Sequence, residues 1–223
     1  MKLTNQQIDD LLTKGYAILP QLVFEDVDFN NVKIGDYTYN ENSKLSQDFL
    51  NSFNFIELKV QLAELANELY NIKVEQNDTY SITRYLKSYD NLESYRGHFD
   101  SHVFSIVTPV KIPETNSFES GQLIVFPNIR NNPKNELINF YEKFKYKVFY
   151  GRVKGYQKLM AKKVFVEFDF KDRNSIIFLG RQCFHGNRSF AEAPKGERIT
   201  ILTHFFDPNK TGIGSILRKL RNR

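Results

Sequence analysis

Tyr80-Ser81-Ile82-Thr83-Arg84-Tyr85-Leu86 is the stretch at which the chain changes character. Its side chains alternate, as they do on a strand with two different faces. Upstream the pattern is helical. Thr4 and Gln7 form a capping box, Ile8, Leu11 and Leu12 supply an apolar face, and Gly15 stops the helix. Tyr16 to Val23 reads as a short strand interrupted by Pro20, and residues 24 to 45 read as polar loop. A second helical region spans about 46 to 72, with Ile56, Val60, Leu62, Leu65, Leu69 and Ile72 in rough helical period.

Downstream, β signals recur. Val103 to Val110 is rich in β-branched residues and stops at Pro109 and Pro113; Gly121 to Pro127, Val164 to Phe170, Ser175 to Leu179 and Ile199 to Phe206 follow. Between them, 134 to 163 is helical or irregular and dense in Lys, Tyr and Phe, as an insertion would be. Helices first and many strands after predict a mostly β, α+β fold, a sandwich or barrel buttressed by N-terminal helices. One domain is expected, with 1–75 as support, 77–207 as core and 208–223 as a basic tail.

The chain has 223 residues, enough for a sizeable core. It holds no apolar run long enough to span a membrane, and Met1 to Gln7 lacks the apolar centre of a signal peptide. A lone cysteine, Cys183, excludes an internal disulfide and fits the reducing cytoplasm; a small buried residue on a strand is its simplest role. The net charge of +5 concentrates in Lys143 to Lys163 and in Arg218-Lys219-Leu220-Arg221-Asn222-Arg223. Solvated faces explain such runs, as does attraction of an anionic partner. No nucleic-acid motif is present. Ile213, Ile216, Leu217 and Leu220 would fall on one face of a C-terminal helix, which offers weak attachment to an anionic membrane.

The chemistry is carried by His98-Phe99-Asp100, answered downstream by His185. On a strand, His98 and Asp100 share a face and Phe99 points away. Two imidazoles and one carboxylate are the ligand set of a non-haem Fe(II) centre with open positions. Arg198 and Thr200 share a face of the next strand; a guanidinium and a hydroxyl there could hold the distal carboxylate of 2-oxoglutarate. His102 has the parity of His98 and Asp100 and is read as an outer-shell or core residue, or a competing ligand. His204, in an apolar strand, is read as a hydrogen-bonded core residue.

Leu3-Thr4-Asn5-Gln6-Gln7-Ile8 through Pro20, His98-Phe99-Asp100, Gly121 to Arg130, Phe184-His185-Gly186-Asn187-Arg188-Ser189 and Gly196-Glu197-Arg198-Ile199-Thr200 together resemble the Fe(II)- and 2-oxoglutarate-dependent dioxygenases, in their phytanoyl-CoA dioxygenase-like branch. The resemblance covers nearly the whole chain. It implies a double-stranded β-helix, or jelly roll, with His98, Asp100 and His185 on iron and Arg198 on 2-oxoglutarate. It also implies decarboxylation of 2-oxoglutarate to succinate and hydroxylation of an unactivated carbon, with dioxygen and a small-molecule substrate as partners; a saccharide or lipid-linked substrate would suit membrane attachment through the C-terminal tail. Asn128-Ile129-Arg130 stands where the family usually has Gly-Ser-His, and the helical insertion that follows has no family counterpart. Arg188 is the alternative to Arg198. A Zn(II) hydrolase on the same three ligands and a non-catalytic jelly-roll binding module are the competing readings. The insertion is expected either to lie as a lid over the iron or to pack on an outer sheet.

Overall fold

The computed structural model describes residues 1–22, 38–40, 49, 55–71, 74, 78–87, 94–113, 120–133, 135–190 and 197–208. The expected loop 24–45, the start of the second helical region and the C-terminal helix from Ile213 lie wholly or largely outside them.

Helix α1 (Asn5–Lys14) has the expected capping box, and Gly15 closes it at φ 82°. A side chain at Gly15 would also run into Asn128, with a contact of 2.5 Å. Strand β1 (Tyr16–Leu19) ends at Pro20. Helix α2 (Ile56–Tyr70) buries Leu58, Gln61, Leu62, Leu65 and Ala66 and stops at Asn71 in the left-handed region. Ile56, read from the sequence as part of the apolar face, points into solvent instead. The Gln61 side chain bonds both backbone groups of Leu3, tying the N-terminus to α2.

The remaining elements are β2 (Thr38–Asn40), β3 (Thr79–Lys87), β4 (Phe104–Lys111), β5 (Leu123–Phe126), α3 (Glu136–Tyr150), α4 (Val153–Met160), β6 (Val166–Phe168), β7 (Ser175–Leu179), β8 (Phe184–Asn187) and β9 (Glu197–Phe205). The strands form two antiparallel sheets, a larger one in the order β1-β7-β4-β9-β3-β2 and a smaller one in the order β6-β5-β8. From β4 onward the chain passes between the sheets: β5 and β6 join the small one, β7 the large, β8 the small and β9 the large. The fold is a mostly β jelly roll with flanking helices.

Three differences from the sequence reading have physical causes. Thr38–Asn40 is a strand inside the expected loop, because it pairs with Thr83 to Tyr85 of β3. Pro109 does not end β4. Pairing with β7 has already stopped at Val107, and the β9 register shifts between Pro109 and Lys111, so the missing N–H is tolerated. Phe184–Asn187 is a strand because β5 pairs with it residue for residue, although Gly186 and Asn187 have little β preference of their own.

Register sorts the faces. Outward from the large sheet point Ile199, Ile201 and Phe205, where Phe205 meets Phe55 at the start of α2. This is the helical buttress. Toward the small sheet point Ser105 on β4, Phe178 on β7, and Arg198, Thr200 and His204 on β9. On the small sheet, His185 and Asn187 face inward. Phe184, Ile124 and Phe126 face outward, against Tyr156 and Leu159 of α4. The insertion's second helix therefore packs on the outer sheet.

Candidate metal centre

His98, Asp100 and His185 offer ligand atoms that all lie within 4.8 Å of one another. His98 is not on a regular strand. It forms an isolated antiparallel bridge with His185, each residue's N–H donating to the other's carbonyl at 2.9 and 3.0 Å. That exchange sets the two rings 4.4 Å apart. Gly97 permits the approach, since any side chain there would collide with the Phe184 ring. The backbone N–H of Asp100 donates to Gly180 O at 3.0 Å, which fixes the carboxylate over the turn after β7. Phe99, between the two ligands, points the other way, onto Phe184 and Tyr146 and under the Arg130 guanidinium.

Both imidazoles are held in the same manner. Nδ1 of His185 lies 3.1 Å from Cys183 O, and Nδ1 of His98 lies 3.2 Å from Arg96 O. A carbonyl can only accept, so each Nδ1 carries the proton and each Nε2 keeps its lone pair. Those Nε2 atoms lie 3.6 Å (His98) and 3.7 Å (His185) from the Asp100 oxygens. Burial pulls the His185 imidazole down to about 4, which keeps it neutral at pH 7, the form that binds a metal. Burial by itself would raise Asp100. The surrounding His185, His204 and His98 outweigh it and hold the carboxyl well below the usual range. The donor set thus fits a divalent metal: two imidazole Nε2 atoms and one ionised carboxylate. The side chain of His98 is 46% exposed while that of His185 is 6%, so the centre opens on the His98 side.

Behind Asp100 runs a chain of hydrogen bonds. Ser105 Oγ donates to Asp100 Oδ2 at 2.5 Å, and His204 Nδ1 lies 2.9 Å from the same hydroxyl. His204, read from sequence as a core residue, is buried and orients the carboxylate through Ser105. His102 is buried against the rings of Tyr80 and His204, with Nε2 4.0 Å from Asp207; it is outside the ligand cluster.

Arg198 is 2% exposed and donates to Gly121 O. Thr200, two residues on, shares its face and is buried. The sequence reading missed a second cation there. Arg84 stands directly opposite Thr200 on β3, so it lies diagonal to Arg198 on the same face. Its guanidinium donates to Asn187 Oδ1, and Asn187 Nδ2 donates to Gly121 O at 2.9 Å. Burial and the neighbouring Arg84 pull the Arg198 guanidinium down to about 9. Two buried like charges on neighbouring strands favour an anion beside them. Asn187 follows His185 by two residues on β8, so metal ligands and cation pair line the same space between the sheets. The available signal was parity: Arg84 falls on an inward set whose other members, Tyr80, Ile82 and Leu86, are apolar or hydroxylic. Arg188 serves elsewhere; it grips both carboxylate oxygens of Glu167 at 2.8 Å.

Cys183 is buried, with Sγ 3.4 Å from Gly15 O, and burial pushes its thiol up to about 12. A thiol so poor in thiolate is expected to ignore Ellman's reagent at pH 8 in the native protein and to react fully once unfolded. Rapid native reaction would contradict this packing.

No family model matches the chain, and no curated protein matches it. Solved structures do. A Pseudomonas putida prolyl-4-hydroxylase is 14% identical, with a TM-score of 0.50 over 90% of this chain and 96% of that one. The chain shares its fold with this hydroxylase. EctD from S. alaskensis with bound Fe is 13% identical, with a TM-score of 0.49 over 91% and 77%. HygX from Streptomyces hygroscopicus with nickel and 2-oxoglutarate bound is 14% identical, with a TM-score of 0.46 over 91% and 86%. No helix among the described residues is long and apolar enough to cross a membrane.

Proposed function

We propose that this protein is an Fe(II)- and 2-oxoglutarate-dependent oxygenase of the phytanoyl-CoA dioxygenase-like kind. It hydroxylates an unactivated carbon of a small-molecule, saccharide or lipid-linked substrate in the cytoplasm. One juxtaposition carries the reading. A His-Asp-His cluster and a buried Arg84–Arg198 pair both border the intersheet space, linked along β8 by His185 and Asn187. A zinc hydrolase needs the three ligands but has no use for the cation pair.

In this reading His98, Asp100 and His185 hold Fe(II). Bound there, the metal supplies dioxygen activation coupled to decarboxylation of 2-oxoglutarate, yielding succinate, CO2 and a hydroxylated product. The protein's own residues do the positioning. Cys183 O and Arg96 O keep the two Nε2 atoms aimed at Asp100. Ser105 and His204 keep the carboxylate ionised and oriented. Arg198, with Arg84 and Thr200, would receive the distal carboxylate of 2-oxoglutarate. Phe178, 4.7 Å from the His185 ring, and Leu123 and Val125, opposite Asn187 and His185, limit water.

Anaerobic titration tests the reading. Fe(II) should bind at one per chain, and 2-oxoglutarate should then raise a weak visible charge-transfer band that Zn(II) cannot give. Tight Fe(II) binding with no band, and no succinate release in air, would return the site to the hydrolase or binding-module readings.

A further inference from the structure

Helix α3 is built inside out. A surface helix normally turns its apolar stripe to the core and its polar face to water. In α3 the stripe toward the domain is mainly polar, with only Tyr146 and Tyr150 packed on the Phe99–Phe184 cluster. Asn139 Oδ1 accepts from Arg130 Nη2 at 2.8 Å, and Glu142 Oε2 accepts from Arg130 Nη1 at 3.0 Å. Lys143 Nζ donates to Ser101 Oγ at 3.0 Å, and Glu136 pairs with the buried Arg181 at 3.1 Å. Asn139 is its only buried residue.

The opposite stripe is apolar and exposed. Leu137 is 73% exposed, Phe140 55%, Tyr141 64%, Phe144 59% and Val148 56%. At about 100° per residue these five cover roughly 100° of the helix, the width that elsewhere faces a core. Ile138, 39% exposed, and Phe149, 63% exposed, widen the apolar face beyond Lys145, so exposed Lys147 borders that face and exposed Lys145 lies within it. Residues 136 to 163 carry eight Lys or Arg against two Glu, an excess larger than the whole chain's +5.

We propose that the outward stripe of α3 seats the protein on an anionic lipid surface, with Phe140, Phe144 and Leu137 in the acyl boundary and Lys145 and Lys147 at the headgroups. Charge selects this occupant. A second copy would bring the same basic excess against itself. Stacking on single-stranded nucleic acid would leave aliphatic Leu137 and Val148, at the two ends of the stripe, without bases to stack on. An exposed apolar face bordered and interrupted by lysines, on a helix lying flat, is the arrangement that binds interfaces. The site is independent of the metal centre's chemistry.

The chain has no tryptophan, so Phe144→Trp supplies a unique fluorophore. With the full chain, its emission should shift to the blue on phosphatidylcholine vesicles carrying phosphatidylserine and stay unchanged on phosphatidylcholine alone. Co-sedimentation with the mixed vesicles should weaken about tenfold or more in Phe140→Ser/Phe144→Ser, and similarly in Lys145→Glu/Lys147→Glu or at high salt. These side chains are exposed, so thermal unfolding and Fe(II) binding should remain as in the parent. An unshifted tryptophan, or vesicle binding indifferent to the paired serines, would overturn the proposal. So would binding to oligothymidylate without binding to vesicles, or a dimer that the paired serines dissolve.

Discussion

Asp100→Ala is expected to abolish Fe(II) binding while the protein stays folded. The carboxylate is the one anionic donor of the cluster and lies between the two histidines, 3.6 and 3.7 Å from their Nε2 atoms. Altering even an outer partner of a ligand typically costs about 10–100-fold in affinity, so losing the ligand itself should cost more than about 100-fold. The backbone there is secured independently, by the Asp100 N–H on Gly180 O and by the reciprocal His98–His185 bonds. Metal content after dialysis against Fe(II), with circular dichroism as the folding control, reads both halves of this expectation. Full iron content in a folded Asp100→Ala protein would move the metal elsewhere, with His102 and His204 the nearest remaining imidazoles. Ser105→Ala should act more mildly: iron still binds, but more weakly, since the carboxylate loses its 2.5 Å donor.

Arg198→Ala is expected to raise the 2-oxoglutarate requirement by roughly 30-fold to more than a thousandfold, the range for removing one partner of a buried charge-assisted pair, about 2–5 kcal/mol. Iron binding should be unaffected, because no ligand comes from β9. Arg198→Lys separates charge from geometry: an ammonium keeps the charge but loses the planar fork, so partial recovery is expected. Arg84→Ala should shift the same constant in the same direction. Titration of the visible band gives the 2-oxoglutarate constant without turnover. An Arg198→Ala protein with unchanged 2-oxoglutarate affinity would remove the cation pair from the reading. Arg188→Ala, whose guanidinium is committed to Glu167, should leave that constant alone.

Local features were legible in the sequence because their causes lie within a few residues. Thr4 and Gln7 cap α1 across three positions, and Ser175 to Leu179 is apolar enough to be a buried strand wherever it is placed. The x in His98-x-Asp100 told correctly that Phe99 would turn away, though the segment is a single bridge and not a strand. Pro109 misled because its effect depends on where a neighbouring strand ends. Phe184–Asn187 went unread as a strand because its extension comes from β5 and His98, not from its own residues.

Residue types and their order by themselves determined the His-Asp-His candidate set and a mostly β class with N-terminal helices; the jelly roll was what the family resemblance implied. They also determined the alternation that puts Arg198 and Thr200 on one face. Tertiary structure alone decided which cation joins them. Arg84 lies 114 positions before Arg198, and only the antiparallel register of β3 on β9 sets it opposite Thr200. Tertiary structure also decided which way α3 faces. Its sequence holds an apolar and a polar stripe of similar width, and hydrophobicity favours burying the first. The buried guanidinium groups of Arg130 and Arg181 need carboxylate and amide partners more than the core needs further apolar area. They hold the polar stripe inward, beside Tyr146, and leave the stripe of Phe140 and Phe144 to water.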